Sequence, residues 1–305
     1  MPELPDVEVY IERLGAMFAG KTLTKVRIGS PFLVRSVGVP PQAAEGAVVT
    51  GFQRLGKRIV FRFDNDVRMV LHLMVAGRLK LGKPGQGIPG KIGLAAWDFA
   101  GAPGALILTE ASPKKRASLH IVRGDDAVMA FDPGGIEPLT ATFAAFKAAL
   151  TRENHTLKRS LTDPHVFSGI GNAYSDEILW RAQLSPVTWT TRLSDADLRK
   201  LYDATRLELV TWTERLRAEA GQGFPEKVTA FRDDMAVHGK YGQPCPRCAQ
   251  KVMRIRYADN ETNYCPTCQT GGKLLADRGL SRLLKGDWPK TLEELEARMR
   301  GEAKG

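Results

Sequence analysis

Cysteine is absent from this chain until Cys245, and all four cysteines then fall between Cys245 and Cys268. That crowding does not suit a disulfide framework spread through a secreted fold. Long hydrophobic runs are also missing, which excludes a membrane-spanning helix and points to a soluble protein. The opening lacks a basic-then-apolar leader, because Glu3, Asp6 and Glu8 stand there instead. An intracellular, cytoplasmic protein is therefore expected, and a monomer. Internal repeats and low-complexity blocks are lacking as well. Acidic residues are the scarcer charge, 34 Asp+Glu against 44 Lys+Arg, leaving a net charge of +10. That balance favours a polyanionic partner, nucleic acid first and an anionic membrane surface second. At 305 residues the chain is long enough for more than one domain with a sizeable core.

The cysteines carry the most specific signal. Cys245-Pro-Arg-Cys248 and Cys265-Pro-Thr-Cys268 form a C-x2-C-x16-C-x2-C pattern, a spacing that reads as a zinc ribbon. Each pair offers two thiolates from one tight knuckle, and two knuckles complete a tetrahedron around one structural zinc. No position is left for a bound water, so the metal folds a hairpin and does no catalysis. Lys251, Arg254, Arg256, Tyr257 and Tyr264 lie between or beside the knuckles, which suits a basic hairpin that meets DNA.

The periodicity changes along the chain. Leu4, Val7, Ile11, Leu14 and Phe18 recur at helical spacing behind Pro5, and Gly20 stops that helix. From there to about Asp132 short strands are expected, among them the alternating Arg58–Phe63, Val67–Leu73, Leu106–Leu108 and Leu119–Val122. An antiparallel sandwich or barrel accommodates them. The Gly- and Pro-rich stretch 82–93 reads as a mobile loop. After Pro138 helices are expected, one around Phe143–Leu150 and a long one from near Ser194 to near Gly221. Between them, Ser168-Gly169-Ile170-Gly171-Asn172 feeds another helix that Ser185-Pro186 ends. Its free N–H groups can meet a phosphate, and Asn172 can cap the helix or donate to that phosphate. Taken alone, this is an ordinary helix–turn–helix corner. The expected architecture is multi-domain α+β: a β-sandwich with an N-terminal helix over 1–135, a helical domain over 136–240, a zinc finger over 241–270 and an extension over 271–305.

The first residues add chemistry. If Met1 is removed, Pro2 becomes a secondary amine next to the carboxylate of Glu3. An α-amino group titrates near 7.7–8.0, so a fraction of it is unprotonated at neutral pH, and a secondary amine that attacks carbon yields an iminium. By itself Pro2 reads more simply as an extended lead-in to a helix.

Taken in order, Pro2-Glu3-Leu4-Pro5-Asp6-Val7-Glu8, then Ile170-Gly171-Asn172-Ala173-Tyr174-Ser175-Asp176-Glu177, then the four cysteines, the chain resembles the formamidopyrimidine-DNA glycosylase / endonuclease VIII family of base-excision repair enzymes. The likeness runs from residue 2 to about Cys268. It implies a helix–two-turn–helix element and a bifunctional DNA glycosylase/AP lyase that flips damaged, oxidised bases out of duplex DNA. It further implies that Pro2 attacks C1′, that Glu3 transfers protons, and that Lys57 holds the phosphate beside the lesion. Lys158 and Asn172 match further phosphate contacts. The partner implied is double-stranded DNA with damaged bases or abasic sites. The departures concern how the duplex is probed. Val75 stands where family members often carry a methionine that fills the gap left by the flipped base, and Met74 beside it is the DNA-binding candidate for that wedge. The loop Glu110–Ala117 lacks the family's Arg-Arg-Phe-Gly wedge, and Asn260 replaces an arginine for which Arg256 or Lys251 offers a substitute charge. Asp6 replaces a glutamate. A damaged-DNA-binding protein without excision activity is the alternative, and the tail through Lys273, Arg278, Arg282 and Lys285 to a helix near 291–300 has no assigned role.

Overall fold

The computed structural model describes residues 1–257, 260–275 and 289–299. The chain divides into two units, one of residues 1–134 with 210–230 and one of residues 135–209 with 231–305.

The first unit begins with α1 (Leu4–Phe18), whose start is fixed by a reciprocal capping box. The Glu3 N–H donates to Asp6 Oδ2 at 3.0 Å, and the Glu3 carboxylate accepts from the Asp6 N–H. Leu4, Val7, Tyr10, Leu14 and Phe18 are buried, with Ile11 at the margin. Gly20, at φ +76°, turns the chain away.

Eight strands follow: β1 (Leu23–Ile28), β2 (Val49–Leu55), β3 (Arg58–Phe63), β4 (Val67–His72), β5 (Gly77–Leu81), β6 (Gly93–Phe99), β7 (Leu106–Glu110) and β8 (Ser118–Arg123). They form two antiparallel sheets, β1-β6-β7-β5 and β2-β3-β4-β8. Alternation decides the core. Ile59, Phe61 and Phe63 of β3 join Met69 and Leu71 of β4 and Leu119 and Ile121 of β8, and these meet Trp97, Leu106 and Leu108 from the other sheet. Each such side chain contributes on the order of 1.5–3 kcal/mol of burial. Strands β1, β2, β5 and β6 are additions to the sequence reading. Gly51 in β2 and Gly93 in β6 lie at register shifts, and β6 is rich in alanine, so neither shows a clean two-residue period.

The 82–93 segment is irregular yet tied down. Arg27 Nη1 donates to the Gln86 carbonyl at 2.7 Å, the Lys83 N–H donates to Gln86 Oε1 at 2.8 Å, and Ile88 packs against Ala96, Ala105 and Ile107. The unit also contains α2 (Asp125–Met129).

The second unit holds α3 (Phe143–Thr151), α4 (Leu157–Thr162), α5 (Asn172–Ala182), most of the long α6 (Asp195–Ala220), the hairpin β9 (Met253–Tyr257) and β10 (Asn260–Tyr264), and α7 (Pro266–Thr270). A last helix, α8 (Leu292–Met299), occupies the expected tail helix. Arg278, Arg282, Lys285 and Arg300 lie outside the described residues. Gly169, at φ +80°, makes the turn before α5. The capping role read for Asn172 is corrected: Gly171 is the N-cap and Asn172 is the first helical residue, its amide engaged elsewhere. Helix α5 ends on Gln183 in the left-handed region, two residues before Ser185. Among the described residues no helix is long and apolar enough to cross a membrane.

Candidate nucleic-acid interface and zinc centre

In the first unit buried acids and nearby cations surround the chain start. Pro2, Glu3 and Asp6 are buried. The free amine in this structure is that of Met1, and the Pro2 nitrogen is an amide. The Met1 amine therefore marks the position next to the one that a mature Pro2 amine would take. Burial holds its pKa below the usual amine value; Glu3 opposes that shift, Arg78 and Lys57 reinforce it and Asp6 opposes it. An amine in such surroundings keeps a larger unprotonated fraction at neutral pH.

Strand register brings the next groups in. The turn between β2 and β3 carries Gly56, at φ +60°, and Lys57. Arg58 pairs with His72, and His72 pairs with Ser118. His72, read from the sequence only as part of a strand, has its pKa pushed down to about 4 by burial and by the cations Arg58 and Lys57. The Met74 N–H donates to its Nδ1 at 3.0 Å, so the neutral ring carries its hydrogen on Nε2, where it can donate to an anion. No local signal marks this residue, because only the β3–β4 register sets it beside Arg58.

Beyond His72 the chain makes a tight turn. The Gly77 N–H donates to the Leu73 carbonyl at 2.9 Å, and a Cβ on Gly77 would lie 2.2 Å from that oxygen. Met74 is half-buried in the left-handed region, while Val75 is 58% exposed. Arg78, also missed from the sequence, fastens the turn by donating to the carbonyls of Val75 at 3.1 Å and Gly77 at 2.7 Å, and to that of Val228. The loop after β7 closes on buried Glu110, whose two oxygens accept from the N–H groups of Arg116 and Ala117 at 3.0 Å each.

In the second unit Lys158, His238 and Asn263 converge on Asp176 behind the glycine turn. Lys158 Nζ donates to Asp176 Oδ1 at 2.5 Å and to the Asn172 carbonyl at 2.7 Å, leaving the lysine side chain 12% exposed. Asp176 Oδ2 is 2.8 Å from His238 Nδ1 and accepts the Asn263 N–H at 3.1 Å. Asn172 Nδ2 donates to the Glu261 carbonyl at 2.9 Å, which ties the start of α5 to β10. Glu177 accepts the backbone N–H groups of Ala236, Val237 and His238 at 2.7–2.9 Å. Arg256 stays 62% exposed on β9, with Glu261 4.0 Å away.

The sulfurs of Cys245, Cys248, Cys265 and Cys268 lie within 4.8 Å of one another. Cys245 and Cys268 are 4.0 Å apart, Cys248 and Cys265 3.4 Å. A tetrahedron with Zn–S bonds near 2.3 Å needs S···S edges of about 3.8 Å, so the donor set fits one structural zinc. Trp180 Nε1 donates to Cys245 Sγ at 3.3 Å, and Arg247 stacks over the Trp180 ring. Such a donor favours the thiolate form that binds metal. The apolar support is small: Val237, Val252 and the cysteines, with Trp180 beside them. Zinc supplies what that core cannot.

A β-sandwich led by a helix, a helix–two-turn–helix domain and a four-cysteine finger define a three-part DNA glycosylase fold, and the comparisons agree. The chain matches the formamidopyrimidine-DNA glycosylase N-terminal domain over residues 1–130, the H2TH domain of that enzyme over 135–211 and the zinc finger found in FPG and IleRS over 242–271. A formamidopyrimidine-DNA glycosylase of Thermus thermophilus is 32% identical over 280 residues, covering 89% of this chain and all of the relative. The crystal structure of MutM (FPG) from the same organism superposes with a TM-score of 0.73 over 88% of this chain and 98% of that one. An uncharacterized formamidopyrimidine-DNA glycosylase-like protein of Mycobacterium tuberculosis is 42% identical over 156 residues, 51% of this chain and 95% of the relative. The chain belongs to the formamidopyrimidine-DNA glycosylase family.

Proposed function

We propose that the protein is a bifunctional DNA glycosylase/AP lyase that removes oxidised bases from double-stranded DNA. One observation carries the reading: the chain start is buried beside Glu3 and Asp6, with the cations Lys57 and Arg78 acting on the same amine. Once Met1 is removed, the unprotonated Pro2 nitrogen forms a bond to C1′, and the base leaves with the glycosidic electron pair and the proton that the Pro2 nitrogen gives up. Glu3 protonates the ring oxygen as the C1′–O4′ bond breaks, giving an iminium. That cation acidifies the neighbouring sugar hydrogens, and β- then δ-elimination cuts the strand. Lys57 and His72 supply phosphate donors at the sheet end. Relatives named formamidopyrimidine-DNA glycosylase support the glycosylase part of this reading, and a Lactococcus lactis Fpg of this fold is described in complex with DNA containing an abasic site. In the second unit Asn172 and exposed Arg256 are the phosphate-facing candidates, while Lys158 acts through Asp176. Of the two wedge candidates Val75 is the more exposed and Met74 shapes its turn.

Borohydride trapping on duplex DNA with an abasic site tests the chemistry. The Met1-free protein is expected to form a covalent adduct that Pro2→Gly diminishes. No adduct, or one undiminished by the substitution, overturns the iminium step and leaves the alternative of damaged-DNA binding without excision. Affinity for the duplex should also fall steeply between about 50 and 200 mM salt, as phosphate neutralisation requires.

A further inference from the structure

Several arginines of the first unit are matched to carboxylates: Arg27 to Asp98, Arg54 to Glu8, and Arg62 and Arg68 to Asp125. Arg58 and Arg35 differ. Among the described residues, neither guanidinium makes a hydrogen bond or an ion pair. Arg58 is half-buried, and burial holds its pKa below the usual guanidinium value, with the charge of Asp132 opposing. A guanidinium partly withdrawn from water without an acceptor is unfavourable, and an anionic ligand relieves that.

Strand alternation sets where these groups point. Ile59, Leu71 and Leu119 face the core. Arg58, His72 and Ser118, aligned with one another across β3, β4 and β8, therefore face outward. Two residues along, Val60, Val70 and His120 form the next rung of that outer face. Val60 and Val70 are covered there by Val128 and Phe131, and the Phe131 ring lies 4.7 Å from that of His120. Arg35 comes in beside β8. Val34 is extended, pairs with Leu119 and packs against the core. The Arg35 N–H donates to the Leu119 carbonyl at 2.9 Å, and Ser36 Oγ accepts the Ile121 N–H at 2.8 Å. Alternation from Val34 puts the exposed Arg35 side chain on the outer face, next to Ser118 and His120. In keeping with this, Arg58 and Arg35 both act on His120, lowering its pKa after the larger effect of burial.

Two guanidiniums thus flank a hydroxyl and an imidazole on one strand pair. Such planar forks of N–H donors suit the oxygens of a phosphodiester. His120 and Arg35 stand one rung beyond His72, about 7 Å along the strands, so they do not share its phosphate. We propose that Arg35, Arg58, Ser118 and His120 form a second phosphate site, which holds a DNA backbone phosphate other than the one met by Lys57 and His72. The site rests on the glycosylase reading above.

Binding of a duplex with a non-cleavable abasic analogue tests it. Arg35→Gln and Arg58→Met should each bind about tenfold more weakly at low salt. Each should also reduce the slope of log affinity against log salt by about one. Arg35 is exposed, so its variant reports binding whether or not Arg58→Met folds less well. Single phosphates replaced by uncharged methylphosphonates should reveal one position where the wild type loses affinity and Arg35→Gln does not. Lys57→Ala should be insensitive at a different position. An unchanged slope for Arg35→Gln, or one position shared by the two variants, overturns the second site. Absence of borohydride trapping by the wild type, with the slopes still reduced in the variants, overturns the enzymatic reading alone.

Discussion

Glu3 and Asp6 in the first unit and Asp176 and Glu177 in the second are all buried to within 3% of complete exclusion, yet their surroundings differ in kind. The first pair caps the start of α1 and acts on the N-terminal amine. The second pair is met by fixed donors: Lys158, His238 and the Asn263 N–H on Asp176, and three consecutive backbone N–H groups on Glu177. Burial of an acid is therefore no guide to its work. What the carboxylate faces separates an acid set beside an amine from one that holds two segments together.

The comparison can be broken at several points. Zinc removal should have the largest effect, because structural zinc contributes on the order of 10 kcal/mol to folding such fingers. Hydrogen exchange after chelation should rise at residues 236–240 and 261–265, next to Asp176 and Glu177, and stay unchanged at residues 3–7. Equal loosening of both regions would show that the two acid pairs share one cooperative structure.

Next in size is Glu3→Gln, which should reduce single-turnover excision by about 100-fold or more while duplex binding persists. Unaltered excision would remove the proton-transfer role. Asp176→Asn should do the reverse. It leaves the nearly buried Lys158 ammonium without its counter-charge, at a cost of about 3 kcal/mol in urea unfolding of the second unit. If Glu3→Gln matched it in unfolding, the contrast between the pairs would fail.

The last test is one of pH, with the smallest change per step of the measurement. Burial, and after it the charge of Glu208, raises the Glu177 carboxyl to about 7 against the pull of its three N–H donors. A carboxyl with a raised folded-state pKa holds its proton more tightly when folded. Its contribution is complete below the ordinary value of 4.5 and is lost as pH climbs through about 7. Stability of the second unit should accordingly fall between these values, by up to about 1.4 kcal/mol per pH unit, and Glu177→Gln should flatten that slope in denaturant titrations. An identical slope in the variant would assign it to other groups.

The cysteine ligands, the Pro2-Glu3 start and the glycine turn at 169–171 were legible because each is a local pattern. Tetrahedral coordination demands a spacing, a helix start demands its capping residues, and a left-handed turn favours glycine. The residue-type pattern also marked α1, α3, α5 and α6. It missed the strands whose alternation is interrupted, at Gly51 and along the alanines of β6. It also misplaced Asn172, whose amide reaches across to β10 and leaves the cap to the Gly171 backbone.

By itself, then, the sequence determined which chemistry the chain carries: an amine beside an acid, a metal-binding finger, and basic residues for a polyanion. Only the tertiary structure decided which groups meet. His72 joins Arg58 through the β3–β4 register, and Lys158 is claimed by Asp176. Pairing register and burial depend on residues far apart in the chain, and no local spacing encodes them.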